Sequence, residues 1–308
     1  MKQHALSVLA GLALGFVTMT VQAAELKVQN VIDNVYAIVG PHEQRNATNF
    51  ANNATFGVVV TDAGVVLVDP GGSYKGAAQV DAAIKTITDK PVKIVINSGG
   101  QDHRWLGNGY FKERGARIIA SEAAVEDHKA RTNDHFFMLG NLMGKEALAG
   151  TDAVYAEETF EAELDLEFGG ESFQIRHVGS AHTLGDSFIW MPGKNVMFSG
   201  DIVYIERMLG IGPAGNTASW VDVFDEMVSY NPKYIVPGHG PVTDIKRATE
   251  ETYNYLVHLR TMIGRIIDNG GPIEEGIAID QSPFKHLAVF EQIAKRNAQN
   301  VFMQMEFE

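Results

Sequence analysis

Short runs of β-branched and aromatic residues open the ordered pattern of this chain: Val35–Val39, Phe56–Val60 and Val65–Val68. Each is too short for a helix and reads as a strand. Thr61-Asp62-Ala63-Gly64 between the last two reads as a hairpin turn, and Asp69-Pro70-Gly71-Gly72 breaks the strand that follows it. The period then changes. Val80, Ala83, Ile84 and Ile87 recur at helical spacing and predict a helix over Val80–Ile87. Pro91–Ile96 returns to strand, Trp105–Arg114 to helix and Arg117–Ala120 to strand, with Ser121 placed to cap a further helix and Glu122 in its first turn.

A second series of strands begins at about Phe160. It comprises Phe173–Val178, Ser187–Met191 and Asn195–Phe198, with Pro192-Gly193 turning the last pair, then a helix over Trp220–Met227 and a strand over Tyr234–Val236. Ile245–Ile267 and about Lys285–Val301 read as helices, Leu256, Leu259, Ile263 and Ile266 sharing one apolar face. Strands that alternate with helices need crossover connections, so the helices must pack on sheet faces. The expected class is α/β: two similar halves packed sheet to sheet, covered on one side by a helical tail from about residue 243. No repeat or Pro/Gly-rich linker divides residues 24–308, which read as one domain.

The first residues follow a different pattern. Lys2 and His4 precede an apolar stretch from Ala5 to about Val17, and Val21-Gln22-Ala23 supplies small residues at a cleavage site. This predicts a secretory leader over 1–23 and an exported, periplasmic protein without a membrane anchor once the leader is cleaved. Loss of Lys2 with that leader takes the formal charge from −13 to −14. Such an acidic chain, with no compensating basic cluster, points away from nucleic acid and anionic membranes and towards a small-molecule substrate. There is no cysteine. The fold therefore has no disulfide, and any metal must sit on imidazole and carboxylate.

Candidate ligands stand at strand ends in four places. Asp102-His103 lies in INSGGQDHRWLGN after PVKIVI, His182 in SAHTLGD, Asp201 in FSGD, and His239 in VPGHGP. Strand ends carrying loops are where a scaffold can hold side chains to metal geometry. A lone histidine at a strand end is usually structural; four such places, each beside glycine, are a constellation.

In order and spacing these four blocks resemble the metallo-β-lactamase-fold hydrolase superfamily, over about residues 26–242. NNATFGVVVTDAGVVLVDPGG resembles its early hairpin ending in Asp, and RNAQNVFMQMEFE is similar to the tail of exported members related to sulfur-oxidation gene products. The resemblance implies a four-layer αβ/βα sandwich with metal ligands along one edge. It implies two metal positions, the first held by two histidines preceding the Asp-His pair together with His182. Those two histidines are replaced here by Ser98 and Gly100. The second position keeps Asp102, His103 and His239, with Asp201 as the carboxylate that bridges both.

A catalytic zinc needs about three protein ligands plus water. The expectation is one metal ion, zinc or alternatively iron, on Asp102, His103, Asp201 and His239, with His182 at most a weaker ligand. Asp102 and His182 are the expected catalytic residues, Asp102 orienting water and His182 stabilising an anion or moving a proton. The implied activity is hydrolysis of an ester, thioester or amide, with weak β-lactamase activity within its range. The alternative is a catalytically impaired, metal-stabilised binding protein that uses the same cleft. Asp69 is a candidate acceptor for a ligating histidine. Arg104 and Arg207 are candidates to neutralise an anionic substrate. His128 and His135 border DHFFMLGNLMG, which reads either as a lid over the site or as a buried helix.

Overall fold

A computed structural model describes residues 24–308. The leader expected over 1–23 lies outside the described residues. Among these residues no helix is long and apolar enough to cross a membrane.

Two sheets organise the chain. The first has seven strands in sequence order: β1 (Lys27–Ile32), β2 (Val35–Val39), β3 (Thr55–Thr61), β4 (Gly64–Val68), β5 (Val92–Asn97), β6 (Arg117–Ser121) and β7 (Glu158–Phe160). Its first pairings, β1 to β4, are antiparallel hairpins, and β4 to β7 pair in parallel. The second sheet holds β8 (Glu163–Phe168), β9 (Glu171–Arg176), β10 (Phe188–Met191), β11 (Val196–Tyr204) and β12 (Tyr234–His239), in the order β12-β11-β10-β9-β8. The parallel joins are made by helices, as a crossover requires: α1 (Tyr74–Ile84), α2 (Asn108–Lys112), α3 (Glu122–Met143), α4 (Lys145–Leu148) and, in the second half, α5 (Thr217–Ser229).

Alternate residues of each strand face opposite layers. On β4, Val65 and Leu67 turn outward onto α1, while Val66 and Val68 turn inward to meet Phe173, Ile189 and Phe198 of the other sheet. The sheets lie so close that a Cβ on Gly57 would overlap the Phe198 ring. Outside the second sheet, Trp220, Phe224 and Met227 of α5 pack with Leu256, Leu259 and Ile263. The last three lie on α7 (Asn254–Asp268), which continues α6 (Ile245–Ala248) through a π-turn; α8 (Ile273–Ile277) and α9 (Phe290–Met305) complete the tail. The result is the expected αβ/βα sandwich with a helical C-terminal region.

Among the boundaries that differ from the sequence reading, three stand out. α1 begins six residues earlier than Val80, at Tyr74, because the Ser73 hydroxyl caps it by accepting from the Gly76 N–H. The helix expected over Trp105–Arg114 is a 3-10 turn at Asp102–Arg104 followed by the short α2. β11 does not stop at Phe198 but continues to Tyr204, through an irregularity at Gly200, whose φ is +50°. Asp201 is therefore inside a strand, not beyond its end.

Candidate metal centre

Three of the four sequence blocks bring a ligand together, from the turn after β5, from within β11 and from the end of β12. The 3-10 turn after β5 carries His103 inward, β11 presents Asp201, and β12 ends on His239, which pairs in register with Tyr204. One ligand atom from each of His103, Asp201 and His239 lies within 4.8 Å of the others, and all three side chains are buried. His103 Nε2 is 3.2 Å from Asp201 Oδ2 and His239 Nε2 is 3.2 Å from Asp201 Oδ1. Ligands about 2.0–2.1 Å from a tetrahedral ion stand roughly 3.3 Å apart, so the spacing suits one. Burial alone would push the Asp201 carboxyl up, but the Arg104 guanidinium and the two imidazoles outweigh it and hold it well below the ordinary range. His239 is held well below the usual imidazole range by burial. A charged carboxylate and a neutral imidazole are the forms a metal needs. Its Nδ1 is buried without a partner.

Asp102 is set apart from this cluster. Its Oδ1 accepts from Arg45 at 2.6 Å and lies 3.2 Å from His103 Nδ1, the ring nitrogen that faces away from Asp201. Asp102 Oδ1 accepts from the His103 backbone N–H at 3.0 Å, and with the ring proton on Nδ1 it would complete the carboxylate–histidine–metal pattern, while Asp102 Oδ2 is buried without a partner. Arg45 also donates to His103 Nδ1 at 3.0 Å. A ligating Nε2 requires the ring proton on Nδ1, where it donates to Asp102 and cannot accept from Arg45. The residues thus fit one ion, with Arg45 as an internal cation that competes for its setting. Asp102 is ionised, since Arg45 and His103 outweigh the burial of its carboxyl and hold it well below the usual range.

Ser98 and Gly100 face elsewhere. Both the N–H and the hydroxyl of Ser98 donate to Asp69, each at 2.7 Å. At Gly100 a Cβ would run into Asp127 Oδ2, because the Asp127–Arg131 pair of α3 fills that space and Arg131 donates to the Gly100 carbonyl at 3.0 Å.

Asp69 and Arg104 need correction. Asp69 orients no histidine; it holds Ser98 and accepts from Arg104 Nη1 at 2.8 Å. Arg104 is 0% exposed and meets no substrate. Its Nε and Nη2 chelate Asp201 at 3.1 and 2.7 Å, and its remaining N–H groups go to Asp69, Thr55 O and Gly238 O. All five donors are used.

His182 does not join the three ligands, but it lines the cavity above them. Burial pushes its imidazole down to about 4, and its Nδ1 has no partner. Asp186 ties its loop, accepting from the Thr183 N–H and hydroxyl at 2.6 and 2.7 Å. The segment of His128 and His135 is part of α3, with Asp134, His135 and Met138 on the cavity wall and Phe137 exposed, while His128 stacks on Trp105 at 4.6 Å and bonds Gly99 O. His135 lines the cavity with both ring nitrogens unpartnered. His177 is satisfied by Asp186 O at 2.8 Å. Trp105 and Trp220 are fully buried core. Two features escaped the sequence reading. Arg45, in the loop after β2, carries no signal that links it to Asp102, and an Asp–Arg pair four apart on a helix reads as a solvated face.

Comparison with known proteins agrees with this geometry. The family model of the metallo-beta-lactamase superfamily matches residues 51–239. The chain belongs to that superfamily. Within it, a metallo-beta-lactamase type 2 of Elizabethkingia meningoseptica is 26% identical over 238 residues, covering 74% of this chain and 85% of the relative. A metallo-beta-lactamase type 2 of Bacteroides fragilis is 24% identical, covering 76% of this chain and 87% of its own. Among solved structures, a metallo-beta-lactamase from Pontibacter korlensis superposes with a TM-score of 0.58 at 18% identity, covering 73% of this chain and 96% of that one. A double mutant of the sec-alkyl sulfatase PisA1 gives 0.68 at 13% identity, covering 91% of this chain and 50% of that one. At these identities the structural likenesses establish the sandwich fold. The superfamily is one of hydrolytic metalloenzymes, and the His103–Asp201–His239 cluster is a possible metal site of the corresponding kind.

Proposed function

We propose that the chain is an exported, periplasmic single-metal hydrolase of an ester, thioester or amide, with weak β-lactamase activity within its range. The observation that carries this reading is the convergence of His103, Asp201 and His239, with the two histidines lining a cavity of about 370 Å³ and Asp201 buried behind them. That volume suits a small organic ligand. A zinc ion held there would lower the pKa of water and polarise the scissile carbonyl; imidazole and carboxylate suit iron as well.

The chain's own groups divide the remaining work. Asp102 accepts from the His103 backbone N–H and, in the metal-binding tautomer, would accept from Nδ1 as well. Asp102 is fully buried, and its Oδ2 is the carboxylate oxygen left free to meet an ion or its water. His182 faces the cavity as a neutral imidazole, and a ring whose conjugate acid sits at about 4 is a weak base at neutral pH. Its role is therefore donation of a hydrogen bond to the developing oxyanion, rather than proton abstraction.

One observation favours the second reading, a catalytically impaired binding protein. Arg45 pairs with Asp102 Oδ1 and Arg104 with Asp201 without any ion, although Asp102 Oδ2 stays without a partner. A panel of ester, thioester and lactam substrates, with His239→Ala as control, separates the two. Turnover that the substitution abolishes supports the hydrolase; rates equal in both proteins leave only the binding protein.

A further inference from the structure

The cavity over the metal centre is lined by four arginines, Arg45, Arg131, Arg207 and Arg296, and by one acidic side chain, Asp134. That is the reverse of the chain as a whole, whose formal charge is −13. Two of the four have their charge met: Arg45 by Asp102 and Arg131 by Asp127. The other two do not. Arg207 is only 5% exposed, yet no carboxylate among the described residues forms an ion pair with it. Its donors reach His42 O at 2.8 Å, Met208 O at 3.3 Å and Gln44 Oε1 at 3.3 Å, all neutral acceptors. Arg296, on α9, is exposed and likewise without an ion pair. Burial pushes the Arg207 guanidinium down to about 10, with Arg45 and Arg296 pressing in the same direction and Tyr204 and Asp201 opposing them.

A buried cation with neutral partners and cationic neighbours is costly unless something anionic completes it. Fixed backbone acceptors position Arg207 for that purpose, since they hold its fork without neutralising it. The rest of the cavity wall includes Met138, Ile211, Pro213 and Ile293. We propose that the cleft takes an organic anion, its oxyanion head paired with Arg207 and Arg296 and its apolar body against Ile211 and Ile293. The reacting bond then lies over His103 and His239, which rests on the hydrolase reading given above. The anion site itself does not.

The test reads binding without turnover. The full chain is titrated calorimetrically with hexanoate, hexyl phosphate and neutral 1-hexanol, all of one chain length. Both anions should bind about tenfold or more tightly than the alcohol, and the ratio between them reports which head group the fork prefers. Arg296→Gln, on an exposed position, should lower anion affinity about fivefold and leave hexanol unchanged, and Arg296→Glu should lower it further. Arg207→Gln should remove the preference; its folding is checked by circular dichroism. Equal binding of hexanol and the anions, or anion affinity unmoved in both Arg296 variants, overturns the proposal. An inactive protein that still selects the anions supports this site and counts against the hydrolase alone.

Discussion

The two sides of the metal centre have gone different ways. On one, His103, Asp201 and His239 keep ligand atoms within 4.8 Å of one another. On the other, Ser98 is bonded to Asp69 and the space at Gly100 is filled by Asp127 and Arg131. Ser98 and Gly100 offer no imidazole there, and a helix ion pair and a hydrogen-bonded serine fill the space beside them. Arg104 belongs to both sides, tying Asp69 on the closed one to Asp201 on the open one. The side around Ser98 thus gives structural support to the side that carries Asp201.

Breaking that tie should have the largest effect. Arg104→Leu leaves two buried carboxylates unpaired and should cost about 3–5 kcal/mol of stability by urea unfolding. A loss under about 1 kcal/mol would mean that the pairings contribute little. Rebuilding the closed side comes next. Ser98→His with Gly100→His should lose about 1–3 kcal/mol through overpacking and gain no second ion by elemental analysis, because Asp127 and Arg131 occupy the space. This reverses what the sequence suggests, where two restored histidines complete a site. A second bound ion in that variant would show the closed side to be adaptable.

That reversal marks where the sequence stops being legible. The strands were readable because Val, Ile and Phe come in short runs bounded by Gly, Pro and Asp, and the ligands because they follow those runs. Ser73 as a cap lay hidden behind three turn residues, and Gly200 reads as a strand end although β11 passes through it. Arg45 and the Asp127–Arg131 pair act across 57 and about 30 residues of chain. Nothing local in a loop arginine or an ordinary helix pair names such a partner. Charge was legible as a total and misleading in place, since the acidic chain lines its cleft with arginine.

On the open side, Arg45→Gln should raise zinc affinity about tenfold, by freeing His103 Nδ1 to donate to Asp102. Competition with a metallochromic chelator measures it, and unchanged or weaker binding would show that Arg45 supports the ion's setting. The smallest effect concerns acid. Burial holds His128 near 3 and His135 near 4, both below an unfolded value of about 6.5. Their folded pKa values are depressed, so the unfolded state binds more protons. Stability is complete above about pH 6.5 and is lost as pH falls towards the folded values. His135→Phe should flatten that acid limb of the thermal midpoint, while an unaltered pH profile would show that the ring is protonated in the folded protein.

The central claim is that one ion is held by the open side alone. Metal content of the purified full chain after equilibrium dialysis against zinc, beside His239→Ala and Asp127→Ala, tests it most directly. The account expects one ion per wild-type chain, none in His239→Ala and one in Asp127→Ala; two ions in the wild type, or none, would contradict it.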